Sequence, residues 1–168
     1  MVTILGRAKI NLTLDILGLR DDGYHEIATV MQSLALADTL TLTRQEEGIT
    51  LTVDLPGLEA DERNLAHRAA ALIMNECGIR NGVHIAITKR IPVAAGLAGG
   101  SADAAAALRG MNELYELGLS DECLCDLGAK LGSDIPFSLM GGTVLATGRG
   151  EALQSLTDFP QTFVVLAK

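Results

Sequence analysis

Tryptophan is absent from this chain and aromatic residues make up only 3% of it, so a core must be assembled from Leu, Ala, Ile and Val. Such a composition suits helices laid on a sheet. Basic residues are also scarce: 13 Lys and Arg stand against 21 Asp and Glu, a net charge of −8. Nucleic-acid backbones are bound by basic surfaces that release counterions, so no nucleic-acid partner is expected. The same charge repels a nucleoside triphosphate, which would need local donors, a helix N-terminus or a bound cation. No apolar run approaches the ~18 residues of a membrane span, and Arg7 and Lys9 interrupt the first apolar stretch. A soluble, cytoplasmic protein with no membrane partner is the expectation. Cys77, Cys123 and Cys125 are odd in number, and the last two lie two apart on a helix-like stretch where side chains diverge. They suit neither a disulfide framework nor a zinc site and are expected to be buried, inert thiols.

What is present is patterned. From Ala8 to Ile16, Ile10, Leu12, Leu14 and Ile16 alternate with Lys9, Asn11, Thr13 and Asp15, the period of a half-buried strand with Lys9 and Asn11 on one face. After an Asp22-Gly23 turn, residues 27–44 read as strand, and Ile49 to Leu55 as another. Apolar spacing predicts a helix over 61–77 with acidic residues in its first turn, then a short strand over 83–87. An Ala-rich helix is expected over about 101–117, capped by Gly118, and another over 120–131, closed by Gly132. Residues 133–136 read as a loop, and 141–152 and 163–167 as closing strands around a Gly148-Arg149-Gly150 turn. Strands and helices are mixed without regular βαβ alternation, so the fold class is α+β. The chain ends at Lys168 directly after an apolar run, which suggests a truncated protein: residues 1–160 as one nucleotide- and substrate-binding domain, 161–168 as the start of another.

Residues 92–103, PVAAGLAGGSAD, are small or Gly at nearly every position and open into the Ala-rich helix. Small residues let backbone N–H groups approach an anion, and a helix start adds unpaired donors and a favourable dipole. A phosphate cradle is one reading; close packing of a helix on a sheet selects the same residues. Neither G-x-x-x-x-G-K-S/T nor G-x-G-x-x-G occurs, which leaves P-loop NTPases and dinucleotide-binding Rossmann domains unsupported, and the H-R-D and D-F-G elements of protein kinases are missing too.

The pattern P-x-x-x-G-L-x-G-G-S from Pro92 to Ser101 resembles the central motif of the galactokinase, homoserine kinase, mevalonate kinase and phosphomevalonate kinase superfamily. With AKINLTLDILGLRDDGYHEI at 8–27, KRIPVAAGLAGGSADAA at 89–105 and LGSDIPF at 131–137, the chain is similar to the branch acting on a cytidine-diphosphate-linked methylerythritol. The resemblance implies a domain like the second domain of ribosomal protein S5, normally followed by a ferredoxin-like C-terminal domain missing here. It implies ATP and Mg²⁺ as cofactors, and transfer of phosphate to the 2-hydroxyl of that small-molecule substrate. Another kinase of the superfamily, such as homoserine kinase, and a non-catalytic nucleotide-binding module are the alternatives; the Tyr24-His25 pair separates the first of these from the main reading.

Phosphoryl transfer to an alcohol calls for a proton acceptor and for positive charge beside the developing alkoxide. The resemblance gives Asp134 the first role and Lys9 the second. It assigns Tyr24 to stacking on the cytosine ring, His25 to hydrogen bonds with its edge and Asn11 to nearby polar groups, chemistry that a π-face and an imidazole can supply. ATP is assigned to Pro92, Val93, Ala94, Ala95, Gly96, Leu97, Ala98, Gly99, Gly100 and Ser101, with Asn64 and Lys89 on the adenosine side. Many relatives carry a second hydroxyl where this chain has Ala102, so Ser101 alone is left for any hydroxyl contact with Mg-ATP. Arg149 is read as structural.

Overall fold

A computed structural model describes residues 1–167. Two long strands, β1 (Val2–Leu19) and β2 (His25–Gln45), form an antiparallel hairpin that is the spine of the molecule. β3 (Ile49–Val53) runs parallel to β4 (Gly82–Thr88), which pairs with the later half of β2. β5 (Thr143–Gly148) pairs with the earlier half, residues 27–32, and carries β6 (Ala152–Ser155) beyond it. β2 thus has β1 along one edge and β4 and β5 end to end along the other.

Four helices complete a mixed α/β unit: α1 (Leu65–Cys77), α2 (Gly99–Leu114), α3 (Asp121–Ala129) and α4 (Asp134–Met140). All four contribute to one core with Leu40, Leu42, Val83, Ile85 and Ile87, which occupy every second position of β2 and β4. The Ala-rich composition of α2 has a packing cause. A Cβ on Gly110 would meet Leu42 Cδ1 at 2.6 Å, and one on Gly6 of β1 would meet the Ala102 carbonyl oxygen at 2.7 Å. Helix and sheet approach closely because both surfaces are pared down.

Several expectations need correction. α1 begins at Leu65, with no acidic residue in its first turn; Asp61 and Glu62 precede it, and Asn64 is the N-cap, its side chain accepting from Ala66 N at 2.9 Å. α2 ends at Leu114, before Gly118, as the chain enters the left-handed region at Glu116. Residues 134–136 are not loop but the first turn of α4, where Pro136 costs no hydrogen bond because first-turn N–H groups have no intrahelical partner. On β1, every residue from Asn11 to Leu19 is exposed, Leu14 and Ile16 by 56% and 66%, so the alternation there does not mark a half-buried face. Residues 163–167 form no strand and are exposed, having no neighbouring strand to pair with. Cys77 is exposed rather than buried, and all three thiols are free.

Candidate active site

The loop leaving β4 is bent into alternating backbone hands. Ala94, Gly96 and Ala98 have φ of 55°, 74° and 56°, while the residues between them do not. Two of the three are alanines, in a region that L-residues with a Cβ enter at a cost of about 1 kcal/mol or more. Alternation of hand turns successive N–H groups toward one side, the geometry of an anion-binding nest. α2 starts directly afterwards at Gly99 without an acidic residue in its first turn, so its dipole and free donors face the same space. Residues 92–100 line a cleft of about 330 Å³ with Asn64, Leu65, Lys89 and Asp103, within the size range of small-molecule sites. Ser101 does not line it.

Lys9 connects this loop to the opposite wall. Its backbone N–H donates to Leu97 O at 3.1 Å, where the β1–β2 register is broken between Arg7 and Lys9. Its side chain, on a residue only 8% exposed, donates to Asn11 Oδ1 at 2.6 Å and lies 3.7 Å from Asp134 Oδ2. Asp134, more open than Lys9, is the first residue of α4, where the helix dipole favours a carboxylate. Asn11 Nδ2 donates in turn to Thr29 Oγ1 at 2.7 Å, and Thr29 donates to Thr13 O at 2.6 Å. Thr29 is fully buried and was not singled out from the sequence. This chain fixes which end of the Asn11 amide meets Lys9, so Asn11 orients the ammonium.

Tyr24 and His25 lie elsewhere. They sit at the tip of the β1–β2 hairpin, where His25 pairs with Leu19, eight residues along β2 from Ser33, the partner of Lys9. That is ~26 Å along a straight strand, though two register shifts, at Asn11/Thr13 and Ile16/Gly18, bend the hairpin between the two points. The tip is tightly made: Tyr24 N donates to Asp22 Oδ1, Arg20 pairs with Glu26, and Glu26 Oε1 accepts from Gly148 N. The Tyr24 N–H bond, supported by Arg20, holds Asp22 below the usual carboxylate range. The Arg149 guanidinium stands 4.9 Å from the Tyr24 ring centroid, and Tyr24 as a residue is 58% exposed.

Lys89 and Asn64 border the cleft but already have structural work. Asn64 caps α1 and donates to Glu59 O at 2.8 Å. Lys89 Nζ is enclosed between Asp38 Oδ2 at 2.5 Å and Asp103 Oδ2 at 2.6 Å, and both carboxylates are buried. The two acids hold the Lys89 ammonium charged against the effect of its burial. Burial pushes the Asp103 carboxyl up to about 7 against the pull of Lys89. Asp38 and Asp103 were missed in the sequence. A signal for the first existed: Leu34, Leu36, Leu40 and Leu42 share a period of two that Asp38 interrupts.

A short loop of alternating backbone hand opening a helix, with a lysine and a carboxylate facing each other beside it, is an arrangement that phosphoryl transfer to a small molecule can use. The profile of the GHMP kinases N terminal domain matches residues 64–142, and the chain belongs to that family. Over 166 residues, 99% of the chain, it is 57% identical to 4-diphosphocytidyl-2-C-methyl-D-erythritol kinase of Synechococcus sp. (strain JA-3-3Ab), covering 54% of that protein. It is 52% identical over 167 residues to the enzyme of the same name from Shouchella clausii (strain KSM-K16), covering 56% of it. The chain therefore spans about half the length of the curated relatives it matches. A crystal structure of 4-(cytidine 5'-diphospho)-2C-methyl-D-erythritol kinase superposes with a TM-score of 0.81 at 39% identity, covering 92% of this chain and 55% of that one. A mevalonate kinase structure reaches 0.72 at 16% identity over 94% and 56%, a likeness of fold.

Proposed function

We propose that this chain is the nucleotide- and substrate-binding part of an ATP-dependent kinase that phosphorylates the 2-hydroxyl of 4-diphosphocytidyl-2-C-methyl-D-erythritol. The observation that carries the reading is the 3.7 Å approach of Lys9 Nζ to Asp134 Oδ2, on a residue whose own N–H is bonded to the loop at Leu97. In this reading the polyphosphate lies on the N–H groups of residues 94–100, and Asp134 takes the proton of the attacking hydroxyl. Its oxygen displaces ADP from the γ-phosphorus in line while the Lys9 ammonium offsets the charge on that oxygen. Tyr24 and His25 receive the cytosine, and similarity to relatives named for this substrate favours it over homoserine. In fold terms we read residues 1–160 as one unit of the ribosomal protein S5 domain 2 type and 161–168 as the start of a ferredoxin-like domain; relatives about twice as long support a second domain.

Mg²⁺ takes most of its ligands from phosphate and water. Among the described residues no group of three or more His, Cys, Asp and Glu could hold a metal ion; in this reading the cation comes with the nucleotide. Ser101, in the first turn of α2 but outside the lining of the cleft, is the one hydroxyl we assign to it. The cation would neutralise phosphate charge beside a strongly acidic protein.

ADP release in the presence of diphosphocytidyl-methylerythritol, homoserine or mevalonate tests the reading, using the chain alone and a protein extended to the length of its relatives. Turnover with the first substrate only is expected in the extended protein. Asp134→Asn should abolish it while a non-hydrolysable ATP analogue still binds, and near-normal turnover in that variant removes Asp134 from the base role.

A further inference from the structure

The buried charges behind the phosphate loop are unexplained by the chemistry above. One ammonium and two carboxylates sit where β2, the exit of β4 and the second turn of α2 meet. Buried ion pairs seldom stabilise a fold more than apolar side chains of the same volume would, because desolvation offsets their attraction. Here the cluster is also unbalanced, and Asp103 Oδ1 is buried without a hydrogen-bond partner.

Its connections are specific. Asp38 Oδ1 accepts from the backbone N–H groups of Arg90 and Ile91, at 2.5 and 2.8 Å, and Oδ2 accepts from Lys89 Nζ. The Lys89 backbone N–H is held separately by Asp54 Oδ1 at 2.7 Å. The chain is therefore fixed at residues 89–91, just before the loop, and Lys89 Nζ reaches across to Asp103, just after it. Between these points lie the left-handed residues 94, 96 and 98. The ammonium is so near the helix start that a Cβ added to Gly99 would lie 3.4 Å from it.

We propose that Asp38, Lys89 and Asp103 are positioning residues for phosphoryl transfer: the triad fixes the span between the exit of β4 and the first turn of α2, and so the spacing of the loop N–H groups that receive the polyphosphate. The inference rests on the kinase reading above. It places Lys89 beneath the loop rather than against adenosine. Directional hydrogen bonds to Lys89 Nζ set that distance, which an apolar trio, lacking them, would set less sharply.

Calorimetric titration of the full chain with a non-hydrolysable ATP analogue plus Mg²⁺, and separately with CDP, provides the test, with thermal unfolding followed for every variant. Lys89→Met and Asp103→Asn are each expected to weaken the ATP analogue about tenfold or more, the worth of one charge-assisted hydrogen bond. CDP affinity should stay within twofold of wild type, whereas a merely structural role would move both ligands together or neither. Asp103→Asn keeps the shape of the side chain and decides the matter if Lys89→Met does not fold. Folded variants that bind the ATP analogue like wild type, or lose both ligands in equal measure, overturn the proposal. A wild-type chain that binds CDP but no ATP analogue instead removes the cradle assignment, and the triad's role with it.

Discussion

Replacing Gly6 by alanine should damage stability and nucleotide binding together. The added Cβ would lie 2.7 Å from the carbonyl oxygen of Ala102, 2.9 Å from its carbon and 3.3 Å from Asp103 N. Carbon and oxygen rest comfortably nearer ~3.4 Å, so β1 and α2 must part by more than half an ångström, roughly the shortfall from van der Waals contact. All three obstructing atoms are backbone and cannot rotate away. Overpacking of this kind costs about 1–3 kcal/mol, which in a domain of this size lowers Tm by roughly 3–10 °C. The turn of α2 that moves follows directly on the loop held by Lys9, so the separation is transmitted to the loop proposed to receive the polyphosphate. Misplacement by 1 Å can cost ~100-fold in rate; for a shift of this size a loss of roughly tenfold in ATP-analogue affinity is expected. Gly18 is the internal control: it lies on the same strand, and a Cβ there meets nothing within 4 Å. Gly18→Ala should change stability by less than ~0.5 kcal/mol. Urea unfolding at 25 °C with calorimetry on both variants is the assay. A Gly6→Ala protein with an unshifted midpoint would refute the claim that helix and strand meet backbone to backbone.

Two further outcomes follow from the geometry. Asn64→Ala removes the N-cap of α1 and should cost about 1 kcal/mol in urea unfolding; a large loss of ATP-analogue affinity in a variant otherwise still folded would show that the residue also touches nucleotide. Asp103, raised to about 7 by burial, holds its proton in the folded chain over a range where the unfolded chain has released it. Folded protein then binds more protons than unfolded, so this group's contribution to stability declines as pH rises from about 4 to about 7, by at most ~1.4 kcal/mol per pH unit. Asp103→Asn should flatten that part of the stability profile. A profile identical to wild type would mean the carboxyl titrates in the ordinary acid range.

The parts of the candidate site that the sequence makes legible can be named. Lys9 and Asn11 share a strand face by period, and a run of small residues opening a helix is visible without coordinates. Asp134 was expected in a loop: Ser133-Asp134-Ile135-Pro136 has the composition of a turn, whereas the structure starts α4 there, with Ile135 and Phe137 buried. The exposed stretch of β1 misled because alternation reports which residues could be buried, not whether anything covers them. Asp38 and Asp103 are 65 positions apart in the sequence and meet only through Lys89, a relation that no local pattern encodes.

Lys9 does two jobs with two different parts of itself, its main chain tethering the loop and its side chain facing Asp134. Side chains on a strand alternate faces, so lengthening β1 by a single residue ahead of Lys9 would present Ala8 to the loop and turn the ammonium to the opposite surface. Away from Gly6, Lys9 and Asn11, substitutions along this strand can be absorbed one at a time; insertions and deletions between Gly6 and Asn11 cannot.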